Sequence, residues 1–414
     1  MEKAILVGLR LPKTKKQVFE SSLSELSRLA DTAGARVEKR IIQSRPMIDP
    51  AYLLGKGKAQ EIRDTVKKNG IHTVIFDNEL KPVQQKNLEE LIDAKVIDRT
   101  RLILDIFAKR ARSREGILQV ERAQLEYILP RLNEKGILLD SQTGGIGTRG
   151  PGERKLETDQ RVIRDRIAYL DRQIGKLKER RKVLRQSRIE SGEPLLAVVG
   201  YTNSGKSTLL NFLCKKHDIY ADDKLFATLD PATRRVRLPG GRIVLFTDTV
   251  GFIEKLPHTL IAAFGSTLEE IQKANCLLHI IDASHFNYKE QEKTVLGVLK
   301  ELGCEKIPLV GAYNKCDLLS IWQKRKLKER QAYFLISAKT GEGIEKLLKK
   351  IQEIATPKIY PHRLKLDFNK VKFLPQIFKW SVVKAQKYAS NGITLKIESD
   401  SGNWERIKNL VLNK

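Results

Sequence analysis

The sequence predicts an α/β protein. A doubly wound, mostly parallel sheet domain is preceded by a small α/β domain and a long antiparallel helical hairpin, and followed by a small C-terminal α/β module. Three observations predict it. Short apolar runs alternate with helical patterns over residues 1–110 and again over 193–357. Between them an apolar residue recurs at heptad spacing. A glycine-rich loop at 200–207 sits where a buried strand gives way to a helix.

The 414 residues exceed what one hydrophobic core holds, and they divide by pattern into 1–110, 111–192, 193–357 and 358–414. The 77 Lys+Arg against 50 Asp+Glu leave a net charge of +27, with an isoelectric point near 9.8. Such a surface attracts polyanions, either nucleic acid or an anionic membrane face. No apolar run approaches a membrane span, and the run after Met1 is too short for a secretory signal. Cys214, Cys276, Cys304 and Cys316 are widely spaced with no CxxC pair. That spacing argues against a zinc site or disulfide framework and fits a reducing cytoplasm.

In the first segment, runs at 4–9, 37–42, 73–76 and 96–97 read as strands, with helical patterns near 15–33, 56–68 and 82–93. In the second, Leu118, Leu125, Leu129 and Leu132 share a helical face. Ile163, Leu170, Leu177 and Leu184 recur every seven residues, with Ile167 and Ile174 at the alternate position. The glycine-rich stretch at about 136–155 joins the two helices as the tip of a hairpin. The second helix carries Arg172, Lys176, Arg180 and Arg181 with few acids between them, which reads as a polyanion-binding face.

The third segment carries the chemistry. Strand runs at 195–199, 243–246, 276–281, 307–310 and 332–336 set out a doubly wound sheet, whose ligands bind at the strand tips. Gly200-Tyr201-Thr202-Asn203-Ser204-Gly205-Lys206-Ser207-Thr208 matches GxxxxGK[ST]. The glycines let backbone N–H groups curl round phosphate oxygens, Lys206 reaches the β- and γ-phosphates, and Ser207 ligates Mg²⁺. In Asp248-Thr249-Val250-Gly251, the Asp holds the Mg²⁺ shell through water and the Gly251 N–H senses the γ-phosphate. The switch loop Phe226-Ala227-Thr228 offers Thr228 as a further Mg²⁺ ligand, with Thr233 as its rival. In Asn314-Lys315-Cys316-Asp317, the carboxylate accepts from guanine N1–H and its exocyclic amine, a donor pair adenine lacks. Ser337-Ala338-Lys339 places a backbone N–H on the guanine carbonyl. Phe252 stands where many GTPases place a glutamine that orients the attacking water, and a phenyl ring cannot do that, so unaided hydrolysis should be slow. Asn203 offers its carbonyl to a monovalent cation such as K⁺, or else simply stabilises the loop.

Tyr52-Leu53-Leu54-Gly55-Lys56-Gly57-Lys58, Gly144-Gly145-Ile146-Gly147-Thr148-Arg149-Gly150-Pro151-Gly152-Glu153, and the Phe226–Pro231 and Asp248–Ile253 stretches of the third segment together resemble the HflX family of ribosome-associated GTPases. The family pattern usually continues Glu-Thr-Gln-Leu-Glu; here Glu153 is followed by Arg154-Lys155-Leu156-Glu157, a more basic tip. The resemblance implies GTP-dependent binding to the large ribosomal subunit and the splitting or rescue of stalled or idle ribosomes. On that reading Arg149, Arg154 and Lys155 meet rRNA phosphates and the protein acts as a monomer in the cytoplasm. Two rivals stand: a GTPase acting in ribosome assembly or on another RNA, and a regulatory GTP-binding protein at an anionic membrane surface.

Overall fold

A computed structural model of the chain describes residues 2–140, 151–190, 193–214, 226, 232–239, 241, 243–255, 265–328, 333–355, 359–389 and 392–412. Arg149, Ala227 and Thr228 lie outside the described residues, as do the side chains of Arg154, Lys155 and Leu184.

The first segment runs β1 (Glu2–Arg10), α1 (Lys16–Ala33), β2 (Ala35–Ser44), α2 (Lys56–Asn69), β3 (Thr73–Phe76), α3 (Pro82–Ile92), β4 (Lys95–Asp98) and α4 (Arg99–Arg110). Its strands are all parallel, in the order β2-β1-β3-β4. Strand β1 is apolar on both faces because both are covered. Ala4 and Leu6 pack with Phe19, Leu23 and Leu26 of α1, while Ile5, Val7 and Leu9 pack with Ile62 and Val66 of α2 and Leu88 of α3. Helix α1 stops at Gly34, whose left-handed φ of 93° lets its N–H return to Ala30 and Asp31 carbonyls. Helix α4 was not legible as a helix. Arg99, Thr100, Leu102, Ile103, Leu104, Ile106 and Phe107 are all buried, so no polar face marks its period. The Asp98 carboxylate caps it, accepting from Arg101 N–H at 2.9 Å.

Helices α5 (Arg114–Asp140) and α6 (Pro151–Glu190) pack side by side. The pairs Glu115–Arg181, Glu121–Arg166 and Arg122–Asp171 run in opposite chain directions, so the hairpin is antiparallel. On α6 the heptad residues Leu170 and Ile174 are buried, and Ile163, Ile167 and Leu177 are half-buried. On α5 the expected leucine face is only half-buried. Among the described residues its buried apolar side chains are Val120, Ala123 and Tyr127, joined to the core of the first domain. This helix serves two neighbours, which blurs its single-stripe pattern.

The third segment forms β5 (Leu195–Gly200), α7 (Lys206–Cys214), β6 (Ala232–Arg237), β7 (Ile243–Asp248), α8 (Gly265–Gln272), β8 (Cys276–Asp282), α9 (Tyr288–Glu301), β9 (Leu309–Asn314), α10 (Ile321–Lys328), β10 (Tyr333–Leu335) and α11 (Ile344–Ala355). The strand order is β10-β9-β8-β5-β7-β6, parallel except for β6 against β7. Edge strand β6 escaped the sequence reading because only Val236 of Ala-Thr-Arg-Arg-Val-Arg is buried. Strand β9 extends beyond the expected run because Gly311 sits under the Tyr333 ring, where a Cβ would come within 2.1 Å of Cδ1. A glycine required by packing therefore interrupts the apolar pattern.

Packing divides the chain into two units, Met1–Leu347 and Leu348–Lys414. In the second, β11 (Ile359–Asp367), β12 (Val382–Ala389) and β13 (Gly392–Asp400) pair antiparallel in the order β11-β13-β12. Helices α12 (Leu374–Trp380) and α13 (Ser401–Leu412) close over Leu366, Leu395 and Ile397.

Candidate active site

Strand β5 lies between β8 and β7, so the loop leaving it opens at the point where the chain winds to either side of the sheet. Gly205 has φ of 93°, and a Cβ there would fall 2.2 Å from Asn314 Nδ2, so only glycine lets the loop pass so close to β9. Asn203 also holds a left-handed φ, of 59°. Lys206 is buried and its ammonium donates to Gly200 O at 3.1 Å and Tyr201 O at 2.8 Å. Burial pushes its pKa down to about 8, against the pull of the Asp248 charge. Thr202 Oγ1 and Ser204 Oγ are buried without a hydrogen-bond partner among the described residues. Such donors suit a ligand rich in acceptor oxygens.

The Asp248 side chain is buried at the end of β7, where Ser207 Oγ donates to its Oδ2 at 2.7 Å. The structure thus brings together the hydroxyl and carboxylate that the sequence assigned to Mg²⁺. Thr249 is turned inward, its hydroxyl bonded to Val198 O at 2.6 Å. Thr233, the rival Mg²⁺ ligand, lies in β6 with its hydroxyl 2.9 Å from that of Thr247.

On the base side, Asn314 acts as a staple. Its Nδ2 donates to Ser204 O at 2.8 Å and its Oδ1 accepts from Ala338 N–H at 2.9 Å, joining the phosphate loop to the Ser337-Ala338-Lys339 loop. Asp317 and Lys339 are exposed, the carboxylate within a short 3₁₀ turn after β9 and the lysine in the loop after β10. Ser337 is buried, and its Oγ accepts from Thr340 N–H at 3.1 Å. Lys315 pairs with Asp282 at 2.7 Å. Asp282 was missed from the sequence, although an acid ending a buried strand at the ligand edge was available as a signal. His279, in β8 beneath the loop, is kept neutral: burial and the Lys206 charge push its pKa down to about 3.

Phe252 is buried in the apolar core with Tyr201, Val250 and Ile253. Among the proposed RNA contacts, Arg172, Lys176 and Arg180 are exposed. Arg181 is a correction to the exposed row, because it is engaged by Glu115 and Glu269 and braces α6 against α5 and α8.

A phosphate cradle beside a hydroxyl–carboxylate pair, with a stapled base edge ending in an exposed carboxylate, suits a guanine nucleotide. The fold and site define a P-loop GTPase. Comparison with known proteins agrees and narrows it. Residues 20–108 match the family described as GTP-binding GTPase N-terminal, 110–188 the GTP-binding GTPase middle region, and 195–315 the 50S ribosome-binding GTPase family. The GTPase HflX of Caldanaerobacter subterraneus is 44% identical over 100% of this chain and 94% of its own. That of Escherichia coli is 39% identical over 98% of this chain and 95% of its own. A solved GTP-binding protein of Sulfolobus solfataricus in complex with GDP aligns at 24% identity over 86% of this chain and 99% of that one, with a TM-score of 0.45. The chain belongs to the HflX family, and it is a GTP-hydrolysing enzyme with a ribosome-binding type of GTPase domain.

Proposed function

We propose that this GTPase is a switch that binds the large ribosomal subunit when loaded with GTP, splits or rescues stalled or idle ribosomes, and leaves after hydrolysis. The observation that carries this reading is the row of Arg172, Lys176 and Arg180. They follow one another at successive turns of α6, are exposed, and make no ion pair among the described residues. Cations spaced about 6 Å apart along a helix match the repeat of a phosphate backbone and bind it without reading sequence. Arg149, Arg154 and Lys155 are the further rRNA contacts on this reading. Among the described residues no helix is long and apolar enough to cross a membrane. The protein works on this reading as a cytoplasmic monomer.

Ser207 and Asp248, hard oxygen donors carrying one negative charge between them, would hold Mg²⁺ together with Thr228. Bound there, the ion would supply neutralisation of the charge that develops on the phosphates. Lys206 meets the β- and γ-phosphates, and the Gly251 N–H faces the γ-phosphate. Asn203 is a proposed K⁺ ligand, and equal GTPase rates in K⁺ and Na⁺ would reject that assignment. The RNA reading is tested by replacing Arg172, Lys176 and Arg180 together with Glu and measuring binding to purified large subunits against salt. The expected result is weaker binding and a slope of log K against log salt shallower by about 2–3. An unchanged slope would count against the α6 face.

A further inference from the structure

Phe226 of the switch loop, the segment after Asp248 and the second residue of the phosphate loop pack into one core with the first domain. Tyr201, Phe226, Val250, Phe252 and Ile253 share one apolar cluster with Phe19, Leu23 and Leu26 of α1 and Phe107 of α4. The Phe226 ring meets Phe107 edge-on, with centroids 4.7 Å apart.

A buried charge cluster lies in the same contact. Arg99, 2% exposed, joins Glu25 and bonds Asp77 at 2.9 Å. Ser22 Oγ donates to Asp77 Oδ2 at 2.8 Å. From the catalytic domain the Tyr201 hydroxyl donates to Glu25, and the Lys255 ammonium reaches Asp77 and Ser22. The same Tyr201 oxygen accepts the Glu254 N–H at 2.7 Å. One tyrosine therefore ties the phosphate loop, the segment after Gly251 and the first domain together. Burial, with the Glu25 charge beside it, holds the Tyr201 hydroxyl well above its ordinary pKa, so it stays a donor. Contacts among buried charges resist breaking, because each leaves a partner uncompensated in a low-dielectric setting.

The γ-phosphate meets the consequence. Phe252 N–H donates to Gly200 O at 3.1 Å, and Phe252 O accepts from Thr202 N–H at 2.8 Å, so the switch segment is sewn to the phosphate loop. Gly251 lies so close that a Cβ would fall 2.8 Å from Thr202 Cα and 3.0 Å from Lys206 Nζ. GDP, which lacks that phosphate, would not enter the seam, whereas a γ-phosphate held by Lys206 would have to pass between Lys206 and Gly251 and part it.

The geometry points to Tyr201 and Glu25 as the residues that set the preference between GTP and GDP. Through them the first domain holds the switch segment down and opposes the γ-phosphate while leaving GDP binding alone. A ligand shifts such an equilibrium only by its differential affinity for the two arrangements, and the effect is reciprocal, so GTP loosens the first domain's hold. The inference rests on the GTP site and not on the ribosomal reading.

Tyr201→Phe in the full chain keeps the ring in the core and removes the hydroxyl. Kd values for GDP and for a non-hydrolysable GTP analogue are measured by competition with a fluorescent nucleotide. The expected result is about tenfold tighter binding of the analogue, the effect of one hydrogen bond, with GDP changed by less than about twofold. Lys255→Met, which loosens the same segment at Asp77, shifts the ratio in the same direction. Hydrogen exchange in α1 rises on adding the analogue to the unaltered protein, and that rise is smaller in Tyr201→Phe. Equal shifts in both Kd values, or no shift in either variant, overturn the proposal. Failure of the unaltered chain to bind either nucleotide would overturn the GTP site itself, a separate result.

Discussion

Asn314→Ala removes a side chain that touches two loops at once. The amide is 1% exposed and satisfies Ser204 O at 2.8 Å and Ala338 N–H at 2.9 Å. Its loss leaves a carbonyl and an N–H without partners, at about 1–3 kcal/mol each, so roughly 2–6 kcal/mol in all. Gly205 cannot relax freely into the gap with a φ of 93° already set. Nucleotide binding needs both loops in place, so it restores order that the free protein has lost and bears part of the cost. If half falls on binding, about 1–3 kcal/mol, the Kd for GDP rises about 5- to 150-fold. The remainder lowers Tm by about 2–4 °C per kcal/mol for a cooperative unit of 150–250 residues. Isothermal titration calorimetry with GDP gives the first quantity and scanning calorimetry the second. A Kd within about twofold of the unaltered protein, with Tm unchanged, would show that the staple carries none of this load.

Three further outcomes are expected. Asp317→Asn exchanges two acceptors for one acceptor and one donor, so GTP affinity falls by about 10- to 100-fold while xanthosine triphosphate gains; retained GTP preference in competition binding would refute the base assignment. Phe252→Gln puts an amide into the core, lowering stability by about 2–5 kcal/mol without accelerating hydrolysis; a faster single-turnover rate would show that the position orients water after all. Lys206 has a pKa lowered to about 8 in the free protein, and phosphates raise it in the complex. Above that pH the free site has lost a proton that the complex retains. GDP affinity should therefore be flat below about pH 8 and fall above it, by up to about tenfold per unit; titrations that stay flat to about pH 9.5 contradict this.

The grouping of candidate site residues at the strand tips was legible in the sequence because each of its parts is local. A phosphate loop, a carboxylate ending β7 and the Asn314–Asp317 run each announce themselves within a few residues, and the sheet brings them together. The seam of α6 was legible for the same reason, since heptad spacing is a local property. Helix α4 and strand β6 were hidden, one by burial on every side and the other by an arginine-rich edge. Arg181 looked like its neighbours Arg180 and Lys182, because nothing local reveals the distant Glu115 and Glu269 that engage it. The contact of Tyr201 with Glu25 spans 176 residues of chain, and only packing shows it.

On the proposed reading the nucleotide site governs attachment to the large ribosomal subunit. The most direct test is sedimentation of the full chain through a density gradient with purified large subunits, comparing a non-hydrolysable GTP analogue with GDP. The expected result is co-migration with the subunit in the analogue, return to the top of the gradient in GDP, and loss of the analogue-dependent shift in Lys206→Ala. The same migration in both nucleotides, whether bound or free, would contradict it.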